Sequence, residues 1–279
     1  MKAMMWILGV IVIAYGAVLA GLYVGQRGLM YHPAAGAPQP PSVVGVPEMT
    51  VLRIPSHDGL TLRAWWAPPA GTGRPVLLYF HGNAGDLDDR AGRARFFLDR
   101  GYGLLLMSYR YNGGSGGSPG ESALIADGHA AADWLAAEHG IGADRIVLYG
   151  ESLGSGIASA LAAEGRGRTL IVEGGFDSAA NVAQGHYPYV PAKWLIKDRF
   201  DSAGRLAKAH GVAKLFVHGA RDRIIPLARA RALHEAAAGP KRLEIQAEGG
   251  HSDLYDHGMG ALVAAFLEAH YPTPSPDDR

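Results

Sequence analysis

The stretch Arg145-Ile146-Val147-Leu148-Tyr149-Gly150-Glu151-Ser152-Leu153-Gly154 joins an apolar run to a Gly-x-Ser-x-Gly motif. The apolar run predicts a buried strand, and the Ala-rich residues 153–164 that follow predict a helix. A serine between such a strand and helix lies on a tight turn that exposes its hydroxyl above the sheet. Two overlapping copies of the motif within residues 113–120 lie in a run of Gly, Ser and Pro that no helix follows directly. Context therefore selects Ser152 as the candidate nucleophile.

Strands and helices alternate on both sides of this motif. The predicted strands cover residues 76–80, 103–108, 146–149, 170–172, 215–217 and 243–246, and the predicted helices cover residues 88–100, 121–138, 153–164, 226–238 and 256–270. Continuous apolar strands with intervening helices indicate a mostly parallel sheet with helices on both faces. Earlier, residues 49–55 and 60–66 flank the turn His57-Asp58-Gly59 and predict an antiparallel hairpin. The expected fold class is α/β, an eight-stranded sheet within one catalytic domain over residues 48–272.

The composition suits a globular enzyme and excludes several functions. Of 279 residues, 48% are hydrophobic and 19% are charged, which argues against disorder. Twenty-six basic residues balance twenty-six acidic ones, so no net charge attracts nucleic acid. The absence of cysteine excludes disulfides and thiolate catalysis. No metal-binding or nucleotide-binding motif occurs, and we therefore predict no metal, no cofactor and no nucleic-acid partner.

The N-terminus carries a long apolar segment. Residues 4–24 are uncharged, and about 20 such residues suffice for a helix to cross a bilayer. We predict a transmembrane anchor over residues 1–25, a Pro- and Gly-rich extended linker over residues 26–47 and a flexible tail over residues 273–279. A signal peptide cleaved near Val18-Leu19-Ala20, giving a secreted or periplasmic protein, is the alternative. Lys2 and Arg27 flank the span, and this charge pattern favours neither membrane side.

Three further predicted strands end in residues with catalytic chemistry. His81-Gly82-Asn83-Ala84-Gly85 follows the first parallel strand, Asp222 follows residues 215–217, and His251 follows residues 243–246. The carboxyl ends of parallel strands meet at one edge of a sheet, so these residues are expected near Ser152.

The order Ser152, Asp222, His251 matches a hydrolytic triad on such a sheet. His251 is expected to accept the serine proton, and Asp222 is expected to orient the imidazole. The backbone N–H groups of Leu153 and Asn83 are the expected oxyanion hole. Asp253 and Asp256 are the rival partners for His251, although the turn of Asp222 before Ile225-Pro226 favours Asp222.

These residues resemble a known family. The resemblance runs from residues 26–33 to about residue 257 and is carried by Gln26-Arg27-Gly28-Leu29-Met30-Tyr31-His32-Pro33, the loop after His81, the Ser152 motif, Arg199-Phe200-Asp201, His218-Gly219 with Asp222 and Ile225-Pro226, and Gly250-His251. The chain resembles the α/β-hydrolase superfamily, in particular its membrane-anchored serine hydrolases, whose relatives include protein depalmitoylases. The resemblance implies the same triad and the same two oxyanion-hole donors.

One stretch departs from the family pattern. Relatives usually have Asp-Tyr-Arg-Gly-Tyr/Phe-Gly where this chain has Ser108-Tyr109-Arg110-Tyr111-Asn112-Gly113. Tyr111, which replaces a glycine, is expected to reshape one wall of the substrate pocket. Residues 176–200 are too long for a plain connection and predict a short lid. Tyr187, Tyr189 and Trp194 of this lid are, with Tyr111, the candidate substrate-binding residues.

The combined sequence evidence predicts a membrane-bound serine hydrolase. Its expected reaction is cleavage of a carboxylic ester or thioester through an acyl-enzyme intermediate. The anchor favours lipid-like or acylated substrates near the membrane. A serine peptidase of the same fold and a catalytically inactive, membrane-tethered binding scaffold are the alternatives.

Overall fold

The structure is a computed structural model that describes residues 1–71 and 73–272, so the predicted tail at residues 273–279 lies outside the described residues. Its described part contains one sheet with strands β1 (Thr50–Pro55), β2 (Thr61–Ala67), β3 (Val76–Phe80), β4 (Gly103–Met107), β5 (Ile146–Glu151), β6 (Thr169–Glu173), β7 (Ala213–Gly219) and β8 (Lys241–Gln246). The spatial order is β1-β2-β4-β3-β5-β6-β7-β8. The β1–β2 and β2–β4 pairs are antiparallel, and the remaining pairs are parallel. The predicted eight-stranded α/β sheet with an antiparallel start is confirmed.

The α-helices of the described chain are α1 (Lys2–Met30), α2 (Ala91–Leu98), α3 (Glu121–His139), α4 (Leu153–Ala163), α5 (Ala179–His186), α6 (Ala192–Leu195), α7 (Ser202–Leu206), α8 (Leu227–Ala236) and α9 (Met259–His270), and short 3-10 helices lie at Asp88–Arg90 and Ala143–Arg145. They divide the core into two layers because alternate side chains of a strand point to opposite faces. On β3, Leu78 belongs to the buried layer that also contains residues of α3, α4 and α8, whereas Leu77 belongs to the layer that contains residues of α2 and α9. Both faces of the sheet are therefore covered, as the continuous apolar strands predict.

The turn from β5 into α4 brings two backbones unusually close together. A Cβ atom on Gly154 would lie 2.0 Å from the carbonyl oxygen of Phe80, at the end of β3. A Cβ atom on Gly150 would lie 2.5 Å from Cα of Ser155. Only glycine fits at these two positions, so the flanking glycines of the motif let α4 rest directly on the sheet.

Helix α1 is longer than the predicted anchor. It continues to Met30 instead of ending near residue 25, and none of its residues is fully buried. It is the single helix in the described chain that is long and apolar enough to cross a membrane, with a mean hydropathy of 2.4, and a signal sequence has the same properties.

The segment between α1 and β1 contains neither helix nor strand, but it does not extend freely into solvent. Val46 is fully buried in the core, and the Ala34 N–H donates to Oδ1 of Asn112 over 3.0 Å. The segment predicted as an extended linker is therefore attached to the domain along its length. Apolar residues scattered among prolines and glycines supply these contacts.

The close packing of α4 gives a stability test. Gly154→Ala is expected to lower the free energy of unfolding by about 3 kcal/mol, because its methyl group overlaps the Phe80 carbonyl. Gly92→Ala is the matched control, since no atom lies within 4 Å of its Cβ position in α2, and its effect should be a gain of at most about 1 kcal/mol. Urea unfolding of the full chain in detergent measures both. Equal stability of the two variants would contradict this packing.

Candidate active site

Ser152 occupies the turn between β5 and α4 in a backbone conformation that side chains rarely adopt. Its φ of 49° and ψ of −115° lie outside the ordinary regions, and such strain persists only where the surroundings impose it. Its N–H donates to the Glu173 carbonyl of β6 over 2.8 Å, and its own carbonyl accepts from Ser155 Oγ over 2.6 Å. These bonds, together with the flanking glycines, hold the Ser152 hydroxyl above the carboxyl edge of the sheet.

The structure brings Ser152, His251 and Asp222 together from the ends of three strands. His251 Nε2 lies 2.9 Å from Ser152 Oγ, and His251 Nδ1 lies 2.7 Å from Asp222 Oδ2. The tautomer that donates from Nδ1 to Asp222 leaves Nε2 ready to accept the serine proton. Gly174, with φ of +57°, leaves room for the imidazole, since its Cβ position is 3.3 Å from His251 Cε1.

Asp222 is fixed at both carboxylate oxygens. While Oδ2 meets His251, Oδ1 accepts the N–H groups of Ile224 and Ile225, each over 2.8 Å. Burial raises the pKa of Asp222, but the hydrogen bond and charge of His251 and the Ile225 N–H outweigh it and hold the pKa below its usual value. Asp222 is therefore an anion at neutral pH. His218 orders the same turn, with Nε2 donating to the Ile225 carbonyl over 2.8 Å.

The rival acidic residues have other positions. Asp253 Oδ1 accepts a hydrogen bond from the Gly250 N–H over 2.7 Å. This bond spans His251 and closes the turn that carries it. Asp256 donates its backbone N–H to the Asp253 carbonyl over 2.9 Å within the same turn. The carboxylate that contacts the His251 ring is thus that of Asp222.

The expected oxyanion donors lie on either side of Ser152. Leu153 is the first residue of α4, so its N–H has no acceptor within the helix. The Asn83 N–H makes no backbone hydrogen bond among the described residues. Buried His81 shapes this loop by donating from Nδ1 to the Gly82 carbonyl over 2.6 Å. Burial, reinforced by Arg90, lowers the pKa of His81 to about 4, so the ring is neutral at pH 7.

A cavity of about 310 Å³ lies over Ser152 and Leu153, with Asn83 in its wall. Its remaining lining is mostly apolar and comes from α1, from the lid and from the turn after β7. These residues are Leu22, Tyr23, Gln26, Arg27, Leu29, Met30, Phe176, Ala179, Val182, Ala183, Tyr187, Val190, Ala192, Leu195, Ile196, Asp198, Ile224 and Ile225. An apolar cleft with a few polar groups at its base is typical of a small-molecule site.

Comparison with known proteins identifies the family. A family model described as the alpha/beta hydrolase fold matches residues 75–210. An uncharacterised protein of Mycobacterium tuberculosis is 34% identical over 248 residues, which cover 88% of each chain. The chain belongs to the α/β-hydrolase superfamily. The lysophosphatidylserine lipase ABHD12 of Xenopus tropicalis is 31% identical over 216 residues, 69% of this chain and 55% of that protein.

The structural comparison gives the same fold. The Pyrococcus furiosus esterase Pf2001 superimposes with a TM-score of 0.69 over 86% of this chain and 98% of that one, at 19% sequence identity. At that identity the likeness concerns the fold alone. Support for a hydrolase comes from the family match and the sequence relatives.

Of the four substrate-binding candidates in this α/β hydrolase, Tyr187 lines the cavity and the other three do not. The Tyr111 ring packs between the rings of Tyr31 and Tyr109, with centroids 5.3 and 5.5 Å away. Tyr189 and Trp194 are 89% and 82% exposed and lie along an outer groove. They lie there because the lid folds with these side chains pointing away from Ser152.

Two buried ion pairs beneath the site were not predicted from the sequence. Glu151 accepts from Arg90 at both oxygens, over 2.8 and 3.1 Å, and from the Tyr79 hydroxyl over 2.9 Å. Glu173 pairs with Arg93 and with the Tyr149 hydroxyl. The sequence signal was a single charged residue at the end of each of two apolar strands, which by itself names no partner.

The Glu151 pair predicts a stability difference that depends on pH. Burial raises the pKa of Glu151, but Arg90, aided by Arg93 and His81, lowers it below the usual value. The pKa of a glutamate in the unfolded chain is about 4.3. At pH values above it the ion pair contributes its full stabilisation to the wild-type fold, and this contribution is lost as the pH falls below it. Arg90→Met leaves the buried Glu151 carboxylate without its partner and should lower the free energy of unfolding by about 3–5 kcal/mol at pH 7.

In Arg90→Met, burial is no longer opposed by Arg90, so the pKa of Glu151 rises and the carboxyl protonates more readily. The loss relative to wild type should shrink as pH falls from 7 to 5. Denaturant unfolding at both pH values measures it. Arg95→Met is the control with a small effect at either pH, because the Arg95 guanidinium is only partly buried and pairs with exposed Glu48 and Asp99. A loss from Arg90→Met that is the same at pH 5 and pH 7 would contradict this account.

Proposed function

We propose that this chain is a serine hydrolase that cleaves carboxylic esters or thioesters. The observation that carries the proposal is the position of His251 between Ser152 Oγ, at 2.9 Å, and the Asp222 carboxylate, at 2.7 Å. Both contacts are short enough for proton transfer and for orientation of the imidazole.

The proposed reaction has two halves. Ser152 Oγ attacks the substrate carbonyl carbon while its proton passes to His251 Nε2, and Asp222 stabilises the resulting imidazolium. The oxyanion of the tetrahedral intermediate accepts hydrogen bonds from the backbone N–H groups of Leu153 and Asn83. The intermediate collapses, and the leaving alcohol or thiol takes the proton from His251. Water, activated by the same histidine, then hydrolyses the acyl-enzyme and releases the acid.

The surroundings of Ser152 favour a lipid-like acyl group. The cavity lining is mostly apolar, and burial of an acyl chain there is favoured by about 0.8 kcal/mol per methylene. Helix α1 fits a membrane anchor, because its apolar residues face solvent throughout its first half. The relative ABHD12 carries the name lysophosphatidylserine lipase, which is consistent with a substrate of this class.

Covalent labelling tests the nucleophile. A fluorophosphonate probe is expected to label the full-length protein in detergent, whereas Ser152→Ala should remain unlabelled because the probe reacts with an activated serine hydroxyl. Ser155→Ala is not a suitable control, since its hydroxyl holds the turn. Ser115→Ala, in one of the two overlapping copies of the motif outside the site, is the matched control and should label like wild type. Absence of labelling of the wild-type protein would refute the serine hydrolase assignment.

The role of Asp222 gives a separate prediction. Asp222→Asn is expected to lower kcat for an ester substrate by about 10⁴, because the amide favours the wrong tautomer of His251. Asp256→Asn, on the same loop as His251 but not in contact with its ring, should change kcat less than about threefold. Steady-state kinetics on both variants decides the matter. If Asp256→Asn were the more damaging change, Asp222 would lose its assignment.

A further inference from the structure

One wall of the cavity over Ser152 comes from α1 and not from the sheet or its covering helices. Leu22, Gln26 and Met30 are partly buried against the domain, whereas Gly21, Val24 and the other residues around them are exposed. Residues four apart lie on one face of a helix. The last turns of α1 therefore present one face to the cavity, on which Leu22 and Met30 are the partly buried apolar residues and Leu29 an exposed one.

Polar contacts fix this part of α1 in place. The Arg27 guanidinium donates to both oxygens of Asp198, over 2.9 and 3.1 Å. Gln26 accepts the Lys197 N–H over 2.6 Å and donates to the Leu195 carbonyl over 3.2 Å. These bonds join the end of α1 to the last residue of α6 and to the segment that follows it, so the wall and the lid form one unit.

A further bond ties the helix to the oxyanion loop. Asn83 Nδ2 donates to the Met30 carbonyl over 2.6 Å, and Asn83 Oδ1 accepts the His32 N–H over 3.3 Å. The helix end thus lies against the loop whose backbone N–H faces the reacting carbonyl. The Asn83 side chain therefore sets the position of the helix end relative to Ser152.

The chemistry of the cavity matches an acyl chain. Among its described lining residues, the charged ones are Arg27 and Asp198, which neutralise each other through their paired hydrogen bonds. The opposite wall is apolar, with Val182, Val190 and Ile196. No unpaired charge is left to bind an ionic headgroup deep in the cavity, whereas a hydrocarbon chain finds apolar contacts on both sides.

The same helix also reaches away from the domain. From Leu22 to Met30 it rises about 12 Å along the cavity, and the residues before Leu22 are apolar and largely exposed. If these residues lie in a bilayer, the Leu22 end of the cavity lies next to that bilayer. A chain leaving the bilayer can then follow α1 to Ser152 without crossing open water.

We propose that the last turns of α1 form the acyl-binding wall of the substrate site and guide a long acyl chain from the bilayer to Ser152. This inference rests on the proposed serine hydrolase function and adds the substrate class, a long-chain acyl ester or thioester. Leu22 is its specificity-determining residue. The chain's two possible sources, a single-chain phospholipid and an S-acylated peptide, share this chemistry.

Alkyl fluorophosphonates test the wall directly, because their alkyl chain occupies the acyl site while Ser152 attacks the phosphorus and expels fluoride. Labelling rates of the full-length protein in vesicles are compared for a dodecyl and a methyl probe. Leu22→Trp, which fills the cavity, is expected to lower the dodecyl-to-methyl ratio about tenfold, equivalent to two methylenes losing their burial. Val24→Trp, the same change at a 79% exposed position on the other side of α1, should leave the ratio unchanged.

Leu22→Asn provides the second variant should the tryptophan disturb folding. It keeps the size of the side chain, replaces its apolar surface and should lower the same ratio. A ratio that stays at the wild-type value in both Leu22 variants, with labelling intact, would overturn the acyl wall alone. Failure of wild-type protein to react with either probe would instead overturn the proposed serine chemistry.

Hydrolysis then distinguishes the two sources of the chain. Wild-type protein is assayed with a palmitoyl lysophospholipid and with a palmitoylated peptide thioester, each in vesicles. With whichever substrate is cleaved, Leu22→Trp is expected to be at least about tenfold slower than Val24→Trp. Equal rates for the two variants on a cleaved palmitoyl substrate would argue against passage of the chain along α1.

Discussion

The candidate active site depends on one close contact between backbones, that of Gly154 with the end of β3. A Cβ atom there would lie 2.0 Å from the Phe80 carbonyl oxygen and 2.8 Å from that of His81. The first residues of α4 are therefore fixed against the strand end that leads into the Asn83 loop. Both expected oxyanion donors, one at the start of α4 and one in that loop, take their spacing from this contact. The strained backbone of Ser152 is a consequence of the same approach, because α4 must begin immediately after the strand.

Electrostatics beneath the turn add a second constraint. Glu151 and Glu173 are register partners on β5 and β6, so two buried carboxylates lie on neighbouring strands directly below Ser152 and His251. Without compensation their repulsion and desolvation would disfavour the parallel pairing at this edge. Arg90, directly before α2, and Arg93, in its first turn, each pair with one carboxylate. Helix α2 is thereby attached to the ends of β5 and β6, which lead into the candidate nucleophile Ser152 and into Gly174, the glycine beside His251.

The sequence predicted the sheet, the turn at Ser152 and the chain order of Ser152, Asp222 and His251, because these depend on local patterns: apolar runs, small residues and strand ends. It did not predict the role of α1, because that role depends on partners distant in the chain. Arg27 pairs with Asp198, 171 residues away, and a pattern of Gln and Arg after an apolar span is equally typical of an ordinary helix end. Tyr189 and Trp194 were expected to line the substrate pocket, but they lie on the outer surface of the lid. An aromatic side chain in a lid suits a pocket or an outer surface equally well, and only the path of the lid decides which.

The two interpretations of the N-terminus, anchor and cleaved signal peptide, have the same consequence for the cavity. Cleavage near Ala20 would remove the apolar residues before Gly21 and the contact of the Tyr15 hydroxyl with the Tyr189 carbonyl. Leu22 and Met30, the paired Arg27 and the Asn83 bond to the helix end all lie after that position. The end of α1 is held by the domain through contacts that do not involve the residues removed. The proposed acyl wall is therefore part of the folded domain, and the residues before it determine only whether the cavity opens beside a bilayer or into water.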